Sequence, residues 1–160
     1  MSLAGIAVAE LKSTEQFFNR STRALSEEHS GARPAPGMMT AAQQVAHAAQ
    51  TIDWFIEGAF RPEGFDTDFA AHAVALENYT SLAAARAWFE KAMAAATATL
   101  STKSDGELMA PIAAGPIMGG EPRMAIVSGI TDHTAHHRGA LTVYARVNGL
   151  VPPMPYMDMD

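Results

Sequence analysis

The chain predicts an all-α protein, a four-helix bundle forming one domain over residues 1–160. Three observations lead there. Apolar residues recur at three- and four-residue steps in four separate stretches. The breaks between those stretches hold Pro and Gly. No segment alternates apolar and polar residues as a strand would, and no internal repeat stands out. A length of 160 residues suits a single core, and 48% hydrophobic with 18% charged residues is the composition of an ordinary folded chain.

The first helix is expected from about Ala4 to Glu28. Ala4, Ala7, Leu11, Thr14, Phe18, Thr22 and Leu25 form its stripe, and Ser30-Gly31-Ala32-Arg33-Pro34-Ala35-Pro36-Gly37 breaks it. The second starts near Thr40 and runs to about Ala59. Thr40 and Gln43 have the spacing of a capping box, in which hydroxyl and amide each satisfy a free backbone N–H of the first turn. Arg61-Pro62-Glu63-Gly64 ends this helix, and residues 62–78 are less regular, with a short helical turn expected around Ala70 to Leu76. The third helix, from about Tyr79 to Thr102, has the cleanest repeat: Leu82, Ala85, Phe89, Met93, Ala96 and Leu100. Residues 104–120 read as a loop whose Met109, Ile112, Ile117 and Met118 cap the bundle. The fourth helix runs from about Pro122, suited to a first turn, to Asn148, with Gly149 as its stop. Ile126, Ile130, His133, His137, Leu141 and Tyr144 share one arc of it. The proline-rich tail from Val151 to Tyr156 cannot continue a helix and is expected as an extended strap. Its methionines, Met154, Met157 and Met159, are expected to cover apolar surface.

Bulk chemistry narrows the function. The net charge is −6, and the 11 Lys and Arg form no basic stripe, which argues against a nucleic-acid partner. There is no cysteine, so disulfides and a protein thiol nucleophile are excluded, and any metal must be held by His or oxygen ligands. No stretch approaches the roughly 20 apolar residues of a membrane span. The N-terminal segment lacks the basic region of a signal peptide. The expectation is a soluble, cytoplasmic protein without a membrane partner.

The chemistry concentrates in His133-Thr134-Ala135-His136-His137-Arg138-Gly139. His133 and His137 share one helix face, about one turn or ~6 Å apart. Burying an imidazole without a partner costs about 1–3 kcal/mol. Two rings aimed at one point would repel if protonated, whereas a cation there satisfies both. His47 lies mid-way along the second helix, on one face with Gln44, Thr51 and Trp54. The H-x-x-x-H pair lacks the Glu of the metalloprotease H-E-x-x-H. From the residues alone two readings stand: a three-His site for a divalent ion with open coordination positions, or hydrogen-bonded core histidines. His136 is expected behind the ligands, at the pocket mouth, or in solvent. Trp54, Phe55 and Tyr144 are expected to line a pocket or to belong to the core. Arg138 could hold an anionic substrate or a partner subunit, or pair on the surface. His72 is read as a surface residue and Gly139 as a mark of close helix approach.

The block "DHTAHHRGALTVYARVNG", the histidine in "TAAQQVAHAAQTIDWF" and the tail "NGLVPPMPY" together resemble the DinB/YfiT-like family of metalloenzymes. The resemblance covers nearly the whole chain. It implies up-down-down-up connectivity, a homodimer, and a divalent metal held by His47, His133 and His137. The family includes mycothiol-, bacillithiol- and glutathione-dependent transferases and isomerases. The resemblance therefore implies a low-molecular-weight thiol cofactor and a small-molecule substrate.

The first functional reading is a metal-dependent enzyme carrying out S-transfer or a related thiol-assisted reaction. The alternatives are a metal-dependent hydrolase and a non-catalytic metal-binding dimeric scaffold. A substrate-sized pocket at the histidines would favour an enzyme, and a basic groove there, near Arg138 or His136, a thiol cofactor. A carboxylate within reach of metal-bound water would favour hydrolysis, and the sequence identifies none. Histidine ligands do not distinguish Zn, Ni, Fe or Mn.

Overall fold

A computed structural model describes residues 2–157. Six α-helices follow in order: α1 Leu3–Thr22, α2 Ala41–Phe60, α3 Phe69–Glu77, α4 Leu82–Ser101, α5 Asp105–Met109 and α6 Ile126–Val147. Among the described residues there is no strand, only an isolated bridge between Pro111 and Pro122. No helix among them is long and apolar enough to cross a membrane.

The four long helices form the bundle, and their contacts fix its topology. Thr14 meets Thr131 and Phe17 meets Arg138, so α1 and α6 run parallel. Phe18 stacks on Phe89 at 4.2 Å while Thr22 meets Arg86, so α1 and α4 are antiparallel. Asp53 accepts a hydrogen bond from Trp88 and Phe60 lies under Lys103, so α2 and α4 are parallel. Gln44 meets Tyr144 and Thr51 meets His133, so α2 and α6 are antiparallel. The result is an up-down-down-up bundle in which α2 and α4, both descending, are joined by the long crossover that carries α3.

The predicted stripes form the core. Ala4, Ala7, Leu11, Phe18, Phe89, Met93, Ala96, Leu100, Ile126, Ile130 and Leu141 belong to one buried cluster. Each large apolar side chain removed from water contributes about 1.5–3 kcal/mol. Truncating Phe89, buried against Phe18, would therefore cost about 3–5 kcal/mol. The capping box at α2 forms as predicted: Thr40 Oγ1 accepts from the Gln43 N–H at 3.2 Å, and Gln43 Oε1 accepts from the Thr40 N–H at 2.8 Å.

Several boundaries differ from expectation. The first helix ends at Thr22 rather than Glu28. Arg86 of α4 donates to the carbonyls of Thr22 and Leu25, which a longer helix would have used itself. The freed segment turns back to cap α4: the Glu27 carboxylate accepts from the Ala83 N–H and the Ser30 hydroxyl from the Leu82 N–H. Leu25 stays buried, so the stripe outlives the helix. Residues 104–120 are not wholly loop, because Ser104 and Glu107 form a capping box that opens α5. Pro122 precedes a short 3-10 turn, Arg123–Ala125, and α6 proper starts at Ile126. Gly139 does not mark close helix approach: a methyl group there would meet nothing within 4 Å. The close approaches are at Gly58, against the Phe65 ring, and at Gly129, against the Phe55 ring.

The tail is a strap across α1. Pro153 and Pro155 offer carbonyls to Ser21 and Arg20, and Tyr156 packs edge-on against Phe17 at 5.1 Å. Met154 and Met157 are exposed rather than covering apolar surface. Met159 lies outside the described residues.

Candidate metal centre

Because α2 and α6 are antiparallel, the middle of one faces the middle of the other. That brings His47 against the i, i+4 pair on α6. One ring nitrogen from each of His47, His133 and His137 lies within 4.8 Å of the other two. Ring centroids are 5.1 Å apart for His47 and His133, 5.0 Å for His47 and His137, and 4.5 Å for His133 and His137. The Nε2 atoms of His133 and His137 are 3.0 Å apart.

Two glutamine amides decide where the protons sit. Tyr144 donates its hydroxyl to the Met39 carbonyl at 2.7 Å, and that carbonyl can only accept. The phenol oxygen then accepts from Gln44 Nε2 at 3.3 Å. Gln44 Oε1 is thereby turned to His137 Nδ1, which must carry the proton and donate. On the other side, Gln50 Nε2 donates to the His72 carbonyl at 3.0 Å, so Gln50 Oε1 faces His47 Nδ1 at 3.4 Å. Each ring holds its hydrogen at Nδ1 against a carbonyl and keeps a lone pair at Nε2, which is the outer-sphere arrangement typical of metal-ligating histidines. Thr51 Oγ1 lies 3.0 Å from His133 Nε2.

Electrostatics keeps the rings neutral. Burial lowers the pKa of His137 to about 3 and that of His133 to about 4, and repulsion between the clustered imidazoles adds to both. Burial also lowers His47, against an opposing hydrogen bond from Gln50. The donor set is therefore available near neutral pH without losing protons first. Two nitrogens bound to one ion at about 2.0–2.1 Å stand about 3 Å apart for bond angles from square to tetrahedral. The His133–His137 separation fits.

Beside the rings is a cavity of about 340 Å³. His47, Gln50, Thr51 and His133 form one wall, and Trp54, Phe55, Phe69 and Leu76 form much of the rest. Trp54 anchors this aromatic wall by donating from Nε1 to the Asp66 carbonyl at 2.7 Å. Among the described residues no Asp or Glu lines the cavity.

The remaining predicted residues divide. Trp54 lines the cavity. Tyr144 lies in the core and acts on His137 only through Gln44. His136 is exposed, its ring 5.0 Å from that of His137. Arg138 does not reach the cavity; it faces a different cleft, between α1 and α6, with its guanidinium over Phe17 and Tyr156. His72 is not a simple surface residue: it lines the cavity from α3, with Nε2 3.3 Å from the Asp66 carboxylate. Gln50 was the residue missed. Its spacing was the available signal, since Gln44 and Gln50 stand three residues before and after His47.

The profile of the DinB superfamily matches residues 10–141. Among solved structures, the chain is similar to a DinB-like protein from Bacillus cereus ATCC 10987, at 23% identity and a TM-score of 0.67, over 90% of this chain and 89% of that one. At that identity the likeness is one of fold. No curated protein matches. With the profile covering most of its length, the chain belongs to the DinB superfamily.

Proposed function

We propose that this protein is a divalent-metal enzyme in which His47, His133 and His137 hold the ion and a low-molecular-weight thiol is activated for transfer to a small electrophile. The observation that carries the reading is the pair of amide relays, which leave unprotonated nitrogens on His47 and His137 beside a substrate-sized cavity. Zn, Ni, Fe or Mn suits this donor set.

His47, His133 and His137 would hold the ion through neutral imidazoles, and the ion would supply its undiminished charge to lower the pKa of a thiol bound in the cavity. The chain supplies the rest. Gln44 and Gln50 orient two rings, and the Thr51 hydroxyl sits beside the third. The wall from Trp54 to Phe69 gives an electrophile an apolar surface and restricts water. The cavity lining among the described residues holds no carboxylate, so the base it offers outside the three candidate ligands is the His72 imidazole, which can take a proton from a thiol as well as from water. Arg138, turned away from the cavity, lends the thiol no support. A cytoplasmic homodimer is part of the proposal; exposed Val143 and Val147 near the end of α6 offer an apolar face for a second copy.

The test is metal content and thiol-dependent turnover, measured together. Wild-type protein should purify with, or take up, one divalent ion per chain, and His137→Ala and His47→Ala should lose most of it while keeping a helical circular-dichroism spectrum. Glutathione, bacillithiol and mycothiol would each be assayed with a dinitrophenyl halide. Unchanged metal in His137→Ala refutes the site. A fully loaded protein with no rate above background for any thiol refutes the reaction.

A further inference from the structure

A second cleft, of about 400 Å³, lies between α1 and α6 and shares no lining residue with the histidine cavity. Tyr156 of the strap is part of its wall. Two features of it are unexplained by the fold.

The first is Thr134. It is 2% exposed, and its hydroxyl has no hydrogen-bond partner. A helical threonine ordinarily bonds back to a carbonyl three or four residues earlier, and buried hydroxyls are ordinarily satisfied. The second is Arg138, one turn further along the same face. Its guanidinium stands 5.9 Å from the ring centroid of Phe17 and 5.9 Å from that of Tyr156. Among the described residues no carboxylate or carbonyl engages it. The two aromatic faces hold the planar group in place and leave its edge free.

The other polar groups of the cleft are partly occupied. Thr14 Oγ1 and Thr131 Oγ1 lie 3.1 Å apart, and Thr131 reaches Glu10 at 3.5 Å. The groups without a hydrogen-bond partner are therefore Arg138, which only donates, and the buried Thr134 hydroxyl at the cleft wall, which can. A ligand matching them must bring acceptors, and the guanidinium edge matches two oxygens of one oxyanion. Glu10, beside Thr131, lies roughly 10 Å away along the helix axis. It makes that end of the cleft unfavourable for a second negative charge.

We propose that this cleft binds a small organic oxyanion, its carboxylate or phosphate on Arg138 and Thr134 and a neutral or cationic tail toward Glu10. The site is independent of the histidine centre.

The experiment is calorimetric titration of the full chain with N-acetylglycine, glycylglycine, inorganic phosphate and the dianion glutarate, with amide chemical-shift mapping. At least one of the first three should saturate at millimolar concentration, more tightly than glutarate, with shifts at Phe17, Thr134 and Arg138. Arg138→Gln should weaken it at least tenfold and Thr134→Val several-fold, while His137→Ala leaves it unchanged. Valine occupies the same volume as threonine, so Thr134→Val should fold; its thermal melt confirms that. Absence of binding by all three probes overturns the proposal. So does binding that survives Arg138→Gln or Thr134→Val, or that disappears in His137→Ala, which would move the probe to the other cavity.

Discussion

The hydroxyl of Tyr144 determines which nitrogen of the His137 ring carries hydrogen, although Gln44 stands between them. The chain of hydrogen bonds starts at a backbone carbonyl, that of Met39, which can only accept. Every proton downstream of it is then assigned without choice. Tyr144→Phe removes the anchor and frees the Gln44 amide to flip.

Metal affinity should therefore fall by about 10–100-fold in Tyr144→Phe, the usual cost of losing an outer-sphere partner. Gln44→Leu should lose a similar amount. Because the two act in series, the double variant should be no worse than the weaker single one. A competition titration with a chelating dye measures all three. Wild-type affinity in Tyr144→Phe, with a loss in Gln44→Leu, would show that the phenol has no hold on the ring.

The histidine cluster also gives the metal-free protein a pH dependence. The folded-state pKa values of His133 and His137, about 4 and about 3, lie below the unfolded value near 6.5. Above that value both states are neutral and the rings contribute nothing to the slope. Below it the unfolded chain takes up protons that the folded chain refuses, so stability falls as pH falls, from about 6.5 toward 3. Urea denaturation of chelator-treated protein should show a slope at pH 5 of about two protons. His133→Asn should reduce it to about one proton. A stability that is level from pH 7 to 4 would contradict the burial of the rings.

Glycines on α6 give opposite expectations. At Gly129 a methyl group would stand 2.6 Å from the Phe55 ring. Gly129→Ala should cost about 1–3 kcal/mol through overpacking, and adding Phe55→Leu should recover part of it. At Gly139 the helix face is open, so Gly139→Ala should gain up to about 1 kcal/mol from propensity alone. Chemical denaturation of the three variants decides both.

Ala73 lines the cavity from the exposed face of α3. Ala73→Phe should fill much of the substrate space and reduce thiol-dependent turnover at least tenfold with metal content unchanged. Equal loss of metal and rate would mean that the substitution disturbs the histidines rather than the cavity.

The bundle was legible because burial imposes helical periodicity on every long element, and Thr40 with Gln43 marked a boundary by chemistry rather than pattern. The arc shared by His133, His137 and Tyr144 was legible for the same reason. What periodicity could not carry was partnership between distant residues. The end of α1 depends on Arg86, more than sixty positions later in the chain. The burial of Leu25 in a non-helical segment made the stripe look like a longer helix. His72 looked external because its segment is irregular, and only the crossover between two parallel helices brings it over His47. Arg138 follows His137 in sequence, yet a step of about 100° round the helix sends it to another face, in the cleft against α1.

The short α3 leans chiefly on α2, whereas the histidines stand on two helices locked into the core. Nine residues are too few for a helix to hold itself together in water. Molecular recognition and ion coordination thus lie largely on different pieces of polypeptide, joined where the His72 carbonyl holds Gln50. Exchanging residues 61–81 would re-tailor what enters the chamber while keeping the three rings in place, provided that the new segment offers Gln50 a carbonyl where His72 does.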